Sequence, residues 1–286
     1  MTESHPPFPS PVDKQVLDFY KTLPFNYFSS PKAEAERIRK SNEVKNYNIL
    51  APIINKKARI IDVGCGTGRL SNSIAYHYGC PVTGIDFNAK AIEHAKQVAG
   101  HLNINVQYRV VDLFEFTPAN SYDIAISIGV LHHTHNCMSA IRLICRNYIA
   151  PGGYFFAGLY HVYGRRPFLN YFNGLKKAGM TNEELFLAYK KLNKEIKDDL
   201  LLRSWFRDQV LHPNETQHTM SEIYKIAADE GMEIVSTSIN HFEKIDSVEK
   251  VFDMERSYED LSLQRLKEEK YFPGFFLFLT KKKVSI

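Results

Sequence analysis

The sequence predicts an α/β fold in which a parallel sheet is covered by helices on both faces. Two observations carry that expectation. Short apolar runs of strand length recur at Ala58 to Val63, Pro81 to Ile85, Val106 to Val111, Tyr122 to Ile128 and Tyr154 to Leu159. Amphipathic stretches of helical period fall between them at Arg69 to Tyr78, Ala89 to Leu102 and Met138 to Tyr148. A strand buried on both faces reads as a continuous apolar run, and parallel neighbours need a crossover helix to connect them.

The remaining elements follow from local chemistry. Four prolines precede Val12 in a polar lead-in, expected to be disordered. Val12 to Leu23 reads as a short helix, Pro24 to Phe28 as an aromatic loop, and Ser30-Pro31 as the N-cap and first turn of a charged helix running through Leu50. Residues 161–218 contain no convincing strand but carry a helical pattern at Asn182 to Leu202, so they read as an inserted helical cap. Thr219-Met-Ser-Glu222 is a capping box opening a helix that ends at Gly231. Met232 to Ser238 is then a strand, Ser247 to Glu269 a charged helix and Phe275 to Thr280 a final strand. The expected organisation is an N-terminal helical extension and lid (1–50), a core made of 51–160 and 219–286, and the cap (161–218).

Composition excludes several classes. Hydrophobic residues are 44% and charged residues 24% of 286, which is globular rather than low-complexity or collagen-like. A formal charge of +4 is too small for the overall field to imply nucleic acid or an anionic membrane. Cys65, Cys80, Cys137 and Cys145 form no CxxC pair, so reduced thiols in a cytosolic protein are expected, with no structural metal. The chain has no signal-peptide pattern and no apolar run long enough to span a bilayer, so a soluble, cytoplasmic protein is expected.

The chemistry centres on Asp62-Val-Gly64-Cys65-Gly66-Thr-Gly68, which follows the first predicted strand and precedes a helix. A dinucleotide fingerprint places its third glycine three residues after the second, letting a pyrophosphate sit on the helix N-terminus. Here the spacing is two, and Asp62 stands beside the loop. A carboxylate there repels pyrophosphate and suits a ligand carrying an ammonium and a sulfonium, which is S-adenosylmethionine. Asp86, with Phe87 next to it, closes the second strand, where a carboxylate can accept both ribose hydroxyls. Asp112 and Leu113 end the third strand, suited to the adenine amino group and ring face. Ser127 and Gly129 end the fourth, where a small residue lets backbone approach the methionine portion. Taken singly, each of these is also an ordinary turn glycine or helix cap.

With these residues in hand, the chain from Arg59 to Leu159 resembles the class I S-adenosylmethionine-dependent methyltransferases, in particular the broad group that includes ubiquinone and menaquinone C-methyltransferases. The resemblance is carried by the loop Asp62 to Gly68, by Asp86, by Asp112-Leu113, by Val130-Leu-His132-His133 and by the Pro151-Gly-Gly153 turn. It implies a Rossmann-like seven-stranded sheet in the order 3-2-1-4-5-7-6 whose last strand is antiparallel. About 35 residues separate the expected closing strands where a hairpin is common in that group.

Methyl transfer requires an acceptor held in line, desolvated, and deprotonated if neutral. His132 and His133 are candidates for the base or for a loop anchor, and His212 is a third candidate base. Tyr160 and Tyr163 follow the fifth strand, and Trp205, Asp208 and Glu215 lie in the cap. These, with Tyr27 from the aromatic loop, are the candidate acceptor-binding residues. A polar network tying cap to core accounts for the cap set equally well. His212, Glu215 and His218 also compare with a zinc set, which Pro213 argues against. Tyr20, Phe25, Tyr27 and Phe28 either close over a sulfonium or staple the first helix to the sheet. The expected function is methylation of a small-molecule acceptor. The alternatives are methylation of transfer RNA, for which ten Lys and Arg against six acids from Arg165 to Asp208 supply a local basic excess, and a non-catalytic partner that binds the cofactor.

Overall fold

A computed structural model describes residues 10–22, 25 and 30–284; Leu23, Pro24, Tyr27 and Phe28 lie outside the described residues. The five predicted central strands form as β1 (Ile60–Val63), β2 (Val82–Asp86), β3 (Gln107–Val110), β4 (Tyr122–Ile128) and β5 (Ile149–Tyr160). With β6 (Met232–Thr237) and β7 (Phe275–Lys282) they make one seven-stranded sheet in the order β3-β2-β1-β4-β5-β7-β6. Only β7 runs antiparallel to its neighbours, β5 and β6. All of β1 and residues Ile124 to Ser127 of β4 are buried because helices cover both faces. One face packs Ile61, Val63, Ala125 and Phe155 against the helices that follow β4 and the cap; the other packs Ile60, Ile124, Ile126 and Phe156 against the helix that follows the glycine loop.

The helices over the sheet are α3 (Arg69–Tyr78), α4 (Ala89–Leu102), α5 (Cys137–Leu143) and α9 (Met220–Asp229), with α1 (Pro11–Thr22) and α2 (Pro31–Lys40) preceding them. Ser30 caps α2, with Pro31 in its first turn, and Thr219 and Glu222 form the reciprocal capping box of α9. Three boundaries differ from expectation. Helix α2 stops at Lys40 rather than continuing through Leu50, because Asn42 turns its side chain onto the Val44 N–H and begins a 3-10 turn. Helix α5 gives way at Ile144 to a wider π turn. Strand β5 begins at Ile149, and Pro151-Gly-Gly153 bulges out of it, since Tyr122 pairs with Ile149 while Ile124 pairs with Tyr154.

Residues 161–218 hold three helices: α6 (Val162–Lys177), α7 (Asn182–Leu192) and α8 (Asp199–Val210). The single helix expected over 182–202 is split because Asp198 caps a new one, accepting from the Leu201 N–H at 2.8 Å. These helices surround their own apolar cluster, including Phe168, Phe172, Phe186, Tyr189 and Phe206. Leu266 and Tyr271 pack against it from the segment before β7. That segment carries α10 (Val248–Glu255) and α11 (Ser257–Lys267), separated where the Ser257 hydroxyl donates to the Met254 carbonyl at 2.6 Å. No helix among the described residues is long and apolar enough to cross a membrane.

Candidate active site

The carboxyl ends of β1, β2, β3, β4 and β5 open into a cavity of about 550 Å³, where ligands bind in open α/β sheets. One end is acidic. The glycine loop turns through left-handed backbone at Gly64, Gly66 and Gly68, and the Gly64 and Cys65 N–H groups donate to the Ile85 carbonyl at 2.8 and 3.0 Å. Asp86 braces the loop from β2: one carboxylate oxygen accepts the Gly66 N–H at 2.9 Å and the other the Asn88 N–H at 2.8 Å. Asp62 is buried in the wall and accepts from the Ser71 hydroxyl at 2.6 Å. Burial pushes its carboxyl up to about 6, helped by the neighbouring Asp86 charge. Asp112 accepts the Phe114 N–H at 2.7 Å, and Phe87, Leu113 and Gly129 complete this part of the wall.

The donor set fits S-adenosylmethionine. Asp62, raised by burial and by the Asp86 carboxylate, is the kind of group an ammonium relieves. A Cβ at Gly66 or Gly129 would meet no protein atom within 4 Å, so both glycines leave space on the cavity side. Arg69, in the first turn of α3, faces the same end with Glu43, to which it donates at 2.6 Å. An arginine in the first turn of a helix is electrostatically unfavourable, which is the signal by which the sequence could mark it; Glu43, Tyr47 and Asn46 carry none.

The opposite end is aromatic: Phe25, Tyr160, Trp205, Tyr271 and Phe275 line it, with Asp208, His133, Gln209 and the Tyr20 hydroxyl among its polar groups. The Tyr20 hydroxyl donates to Asp208 Oδ1, and the Gln209 amide to Asp208 Oδ2 at 2.8 Å. Burial raises the Asp208 carboxyl above the usual range. His133 Nδ1 lies 2.8 Å from the Asn214 carbonyl. A carbonyl only accepts, so the ring proton sits on Nδ1 and leaves a lone pair on Nε2. That nitrogen has no hydrogen-bond partner among the described residues. Burial lowers the His133 imidazole to about 4, keeping it neutral.

The expected residues therefore separate. Asp62, Gly64, Cys65, Gly66, Asp86, Phe87, Asp112, Leu113 and Gly129 meet at the acidic end, and His133, Tyr160, Trp205 and Asp208 at the aromatic end. Gly68 does not face the cavity; a Cβ there would lie 2.3 Å from the Tyr108 hydroxyl, so its role is close packing of α3. Ser127 is buried and donates to the Val63 carbonyl at 3.0 Å, tying β4 to β1. His132 points away from the cavity and stacks on Tyr160 at 4.1 Å, because successive residues of the 3-10 turn Leu131–His133 diverge by a third of a turn. His212 sits behind His133, their rings 3.7 Å apart. Tyr163 packs beside His161 and Arg166 on α6. Glu215 gives both carboxylate oxygens to Arg165, at 2.8 and 2.7 Å. His218 meets Thr216 at 2.8 Å, and among the described residues no three His, Cys, Asp or Glu side chains are grouped to hold a metal. Tyr27 lies outside the described residues.

Two contributors came from α1. Asp13 lines the cavity and bonds both the backbone N–H and the ring of His135, at 3.1 and 2.5 Å. Tyr20 reaches Asp208 from the other end of the same helix.

A methyltransferase-domain family model matches residues 54–231. A ubiquinone biosynthesis O-methyltransferase of Coxiella burnetii is 31% identical over 146 residues, 51% of this chain and 61% of that protein. Its counterpart in Bordetella avium is 32% identical over 149 residues, 51% of this chain and 60% of that protein. The match thus spans about three fifths of the length of these relatives. Among solved structures, PKMT2 from Rickettsia typhi, in complex with AdoHcy, superposes with a TM-score of 0.60 at 15% identity, covering 81% of this chain and 49% of that one. The magnesium protoporphyrin IX methyltransferase of Synechocystis, with bound SAH, superposes with a TM-score of 0.51 at 15% identity over 94% and 93%. At those identities the likeness is one of fold.

Proposed function

The chain belongs to the methyltransferase-domain family, the class I S-adenosylmethionine-dependent methyltransferases, and from that premise we propose that it methylates a hydroxyl group on a small aromatic molecule. The observation that carries this is the polarity of the cavity. Its acidic end offers carboxylates to a cationic cofactor, and its aromatic end offers ring faces with two polar acceptors, His133 Nε2 and Asp208. A ring bearing hydroxyl donors matches that lining, and the relatives named for ubiquinone biosynthesis O-methylation support the same acceptor chemistry.

When bound, S-adenosylmethionine supplies an electrophilic methyl group together with its own leaving group. Asp86 would accept from the ribose hydroxyls, Asp112 from the adenine amino group with Leu113 on the ring face, Asp62 from the ammonium, and Arg69 would pair with the amino-acid carboxylate. His133, its proton held on Nδ1 by the Asn214 carbonyl, takes the acceptor hydroxyl proton at Nε2. Asp208, its Oδ1 3.9 Å from His133 Nε2, accepts from a second donor on the acceptor and stabilises the imidazolium that forms. Phe25, Trp205 and Tyr271 line this end and would shield a bound acceptor from water.

The transfer RNA reading is disfavoured by the cap's own charge pairing. Arg165 is buried against Glu215, and Arg166, Lys190, Lys194 and Arg203 pair with Glu259, Asp199, Glu269 and Glu183. Lys176 donates to the Val210 carbonyl. Six of the ten basic residues are engaged in this way, which leaves four, Lys177, Lys191, Lys197 and Arg207, to track phosphates.

The test is transfer of labelled methyl from S-adenosylmethionine to phenols and catechols, amines, carboxylates and bulk transfer RNA in parallel. Turnover on aromatic hydroxyls is expected; label appearing only in transfer RNA, or only on amines, would overturn the acceptor assignment.

A further inference from the structure

We propose that Arg165, which does not line the cavity, is the positioning residue of the acceptor end, setting both where the proton sits on His133 and which way the Gln209 amide points. The inference rests on the reading of His133 as the base. Arg165 is the largest fully buried side chain among the described residues. It lies on α6, between the rings of Tyr160 and Phe168, with its guanidinium carbon 4.0 and 4.6 Å from their centroids. Its planar fork makes four hydrogen bonds: Nε and NH2 to the two Glu215 carboxylate oxygens, NH1 to Gln209 Oε1 at 3.0 Å and NH2 to the Gln209 carbonyl at 2.7 Å.

Each pair of bonds has a consequence inside the cavity. Glu215 is flanked by residues stitched to the His132-His133 turn. The Asn214 carbonyl accepts from His133 Nδ1, and the Asn214 side-chain amide donates to the carbonyls of His133 and Thr134, both at 3.1 Å. On the other flank, the Thr216 N–H donates to the His132 carbonyl at 2.8 Å. Anchoring Glu215 to α6 therefore holds the one carbonyl that keeps the His133 proton on Nδ1. The second pair acts through Gln209. Its Oε1 accepts from Arg165 and from the Tyr271 hydroxyl at 2.9 Å, so its NH2 must face the other way. There it donates to Asp208 Oδ2 at 2.8 Å and to the Tyr160 hydroxyl at 2.5 Å. A lysine ammonium, with three donors on one nitrogen, cannot reproduce four bonds spread over three nitrogens, which is why the fork of arginine matters at this position.

The experiment is Arg165→Met and Arg165→Lys in the full chain, read by nitrogen-15 NMR of the histidine rings and by steady-state kinetics. Wild-type His133 should show the Nδ1–H tautomer, with the signal assigned by its loss in His133→Asn. In Arg165→Met the proton should redistribute toward Nε2 and kcat should fall by about 30-fold or more, the scale expected of a displaced catalytic group. S-adenosylhomocysteine affinity should stay within about threefold of wild type, because the acidic end is untouched. Arg165→Lys should not restore kcat. Should Arg165→Met fail to fold, Glu215→Gln, which preserves volume, should show the same redistribution with a smaller fall in kcat. An Nδ1–H tautomer and wild-type kcat in a folded Arg165→Met or Glu215→Gln variant would overturn the proposal. Full kcat in His133→Asn would instead overturn the base assignment on which it rests, whatever the tautomer does.

Discussion

His133 Nε2 faces Asp208 Oδ1 across 3.9 Å at the aromatic end of the cavity. The gap is too long for a direct hydrogen bond, and both atoms are acceptors when the ring proton is on Nδ1. An acceptor hydroxyl placed between them would give its proton to the one and lie beside the charge of the other. His133→Asn should lower kcat by about a hundredfold or more, the usual worth of a positioned base. S-adenosylhomocysteine affinity measured by calorimetry should remain within about twofold. An equal loss in both would make His133 a loop anchor.

Asp62 links cofactor binding to pH. Its carboxyl is raised to about 6 by burial, and a bound ammonium favours the ionised form, so binding must displace a proton below that pH. Affinity for S-adenosylhomocysteine should rise about tenfold from pH 5 to pH 7 and level off above it. Asp62→Asn should remove the dependence. Titrations in buffers of different ionisation enthalpy would detect the released proton at pH 5.5, and its absence would refute the ammonium assignment.

Gly64 and Gly66 should fail differently when changed to alanine. Both have left-handed backbone, but a Cβ at Gly64 would lie 2.3 Å from a Val130 methyl, whereas one at Gly66 meets nothing in the protein. Gly64→Ala adds overpacking to backbone strain and should lower the melting temperature by at least about 6 °C. Gly66→Ala should lower it by no more than about 3 °C while weakening S-adenosylhomocysteine binding at least about tenfold. Thermal melts alongside calorimetry separate the two, and equal behaviour would show that Gly66 does not face the cofactor.

The clustered histidines make the fold acid-sensitive. Burial depresses His133 to about 4 and His212 to about 3, from an ordinary value of 6.5. Between those values and 6.5 the unfolded chain binds protons that the folded chain refuses. Their contribution to stability is therefore complete above pH 6.5 and lost as the pH falls toward 4 and 3. The melting temperature should drop by at least about 5 °C between pH 7.5 and 4.5, and His212→Asn should reduce the drop. A drop identical to wild type in that variant would place the acid sensitivity elsewhere.

What the sequence determined by itself was the sheet and the residues gathered at its carboxyl edge. Strand length, helical period and a glycine loop are local patterns, and every strand-end residue from Asp62 to Leu113 is delivered to the cavity by the topology that those patterns imply. His133, Tyr160, Trp205 and Asp208 are offered as separate candidates by the sequence, but their assembly into one aromatic end was decided by tertiary structure, because its residues come from five distant stretches of chain. Tyr20 meets Asp208 across 188 positions, and Asn214 meets His133 across 81. Adjacent in sequence, His132 and His133 part company because a tight turn sends one ring onto Tyr160 and the other into the cavity. Glu215, an acid that the cap sequence offers as an acceptor ligand, is instead consumed by a buried arginine, since a charge inside a protein must first be neutralised by its neighbours.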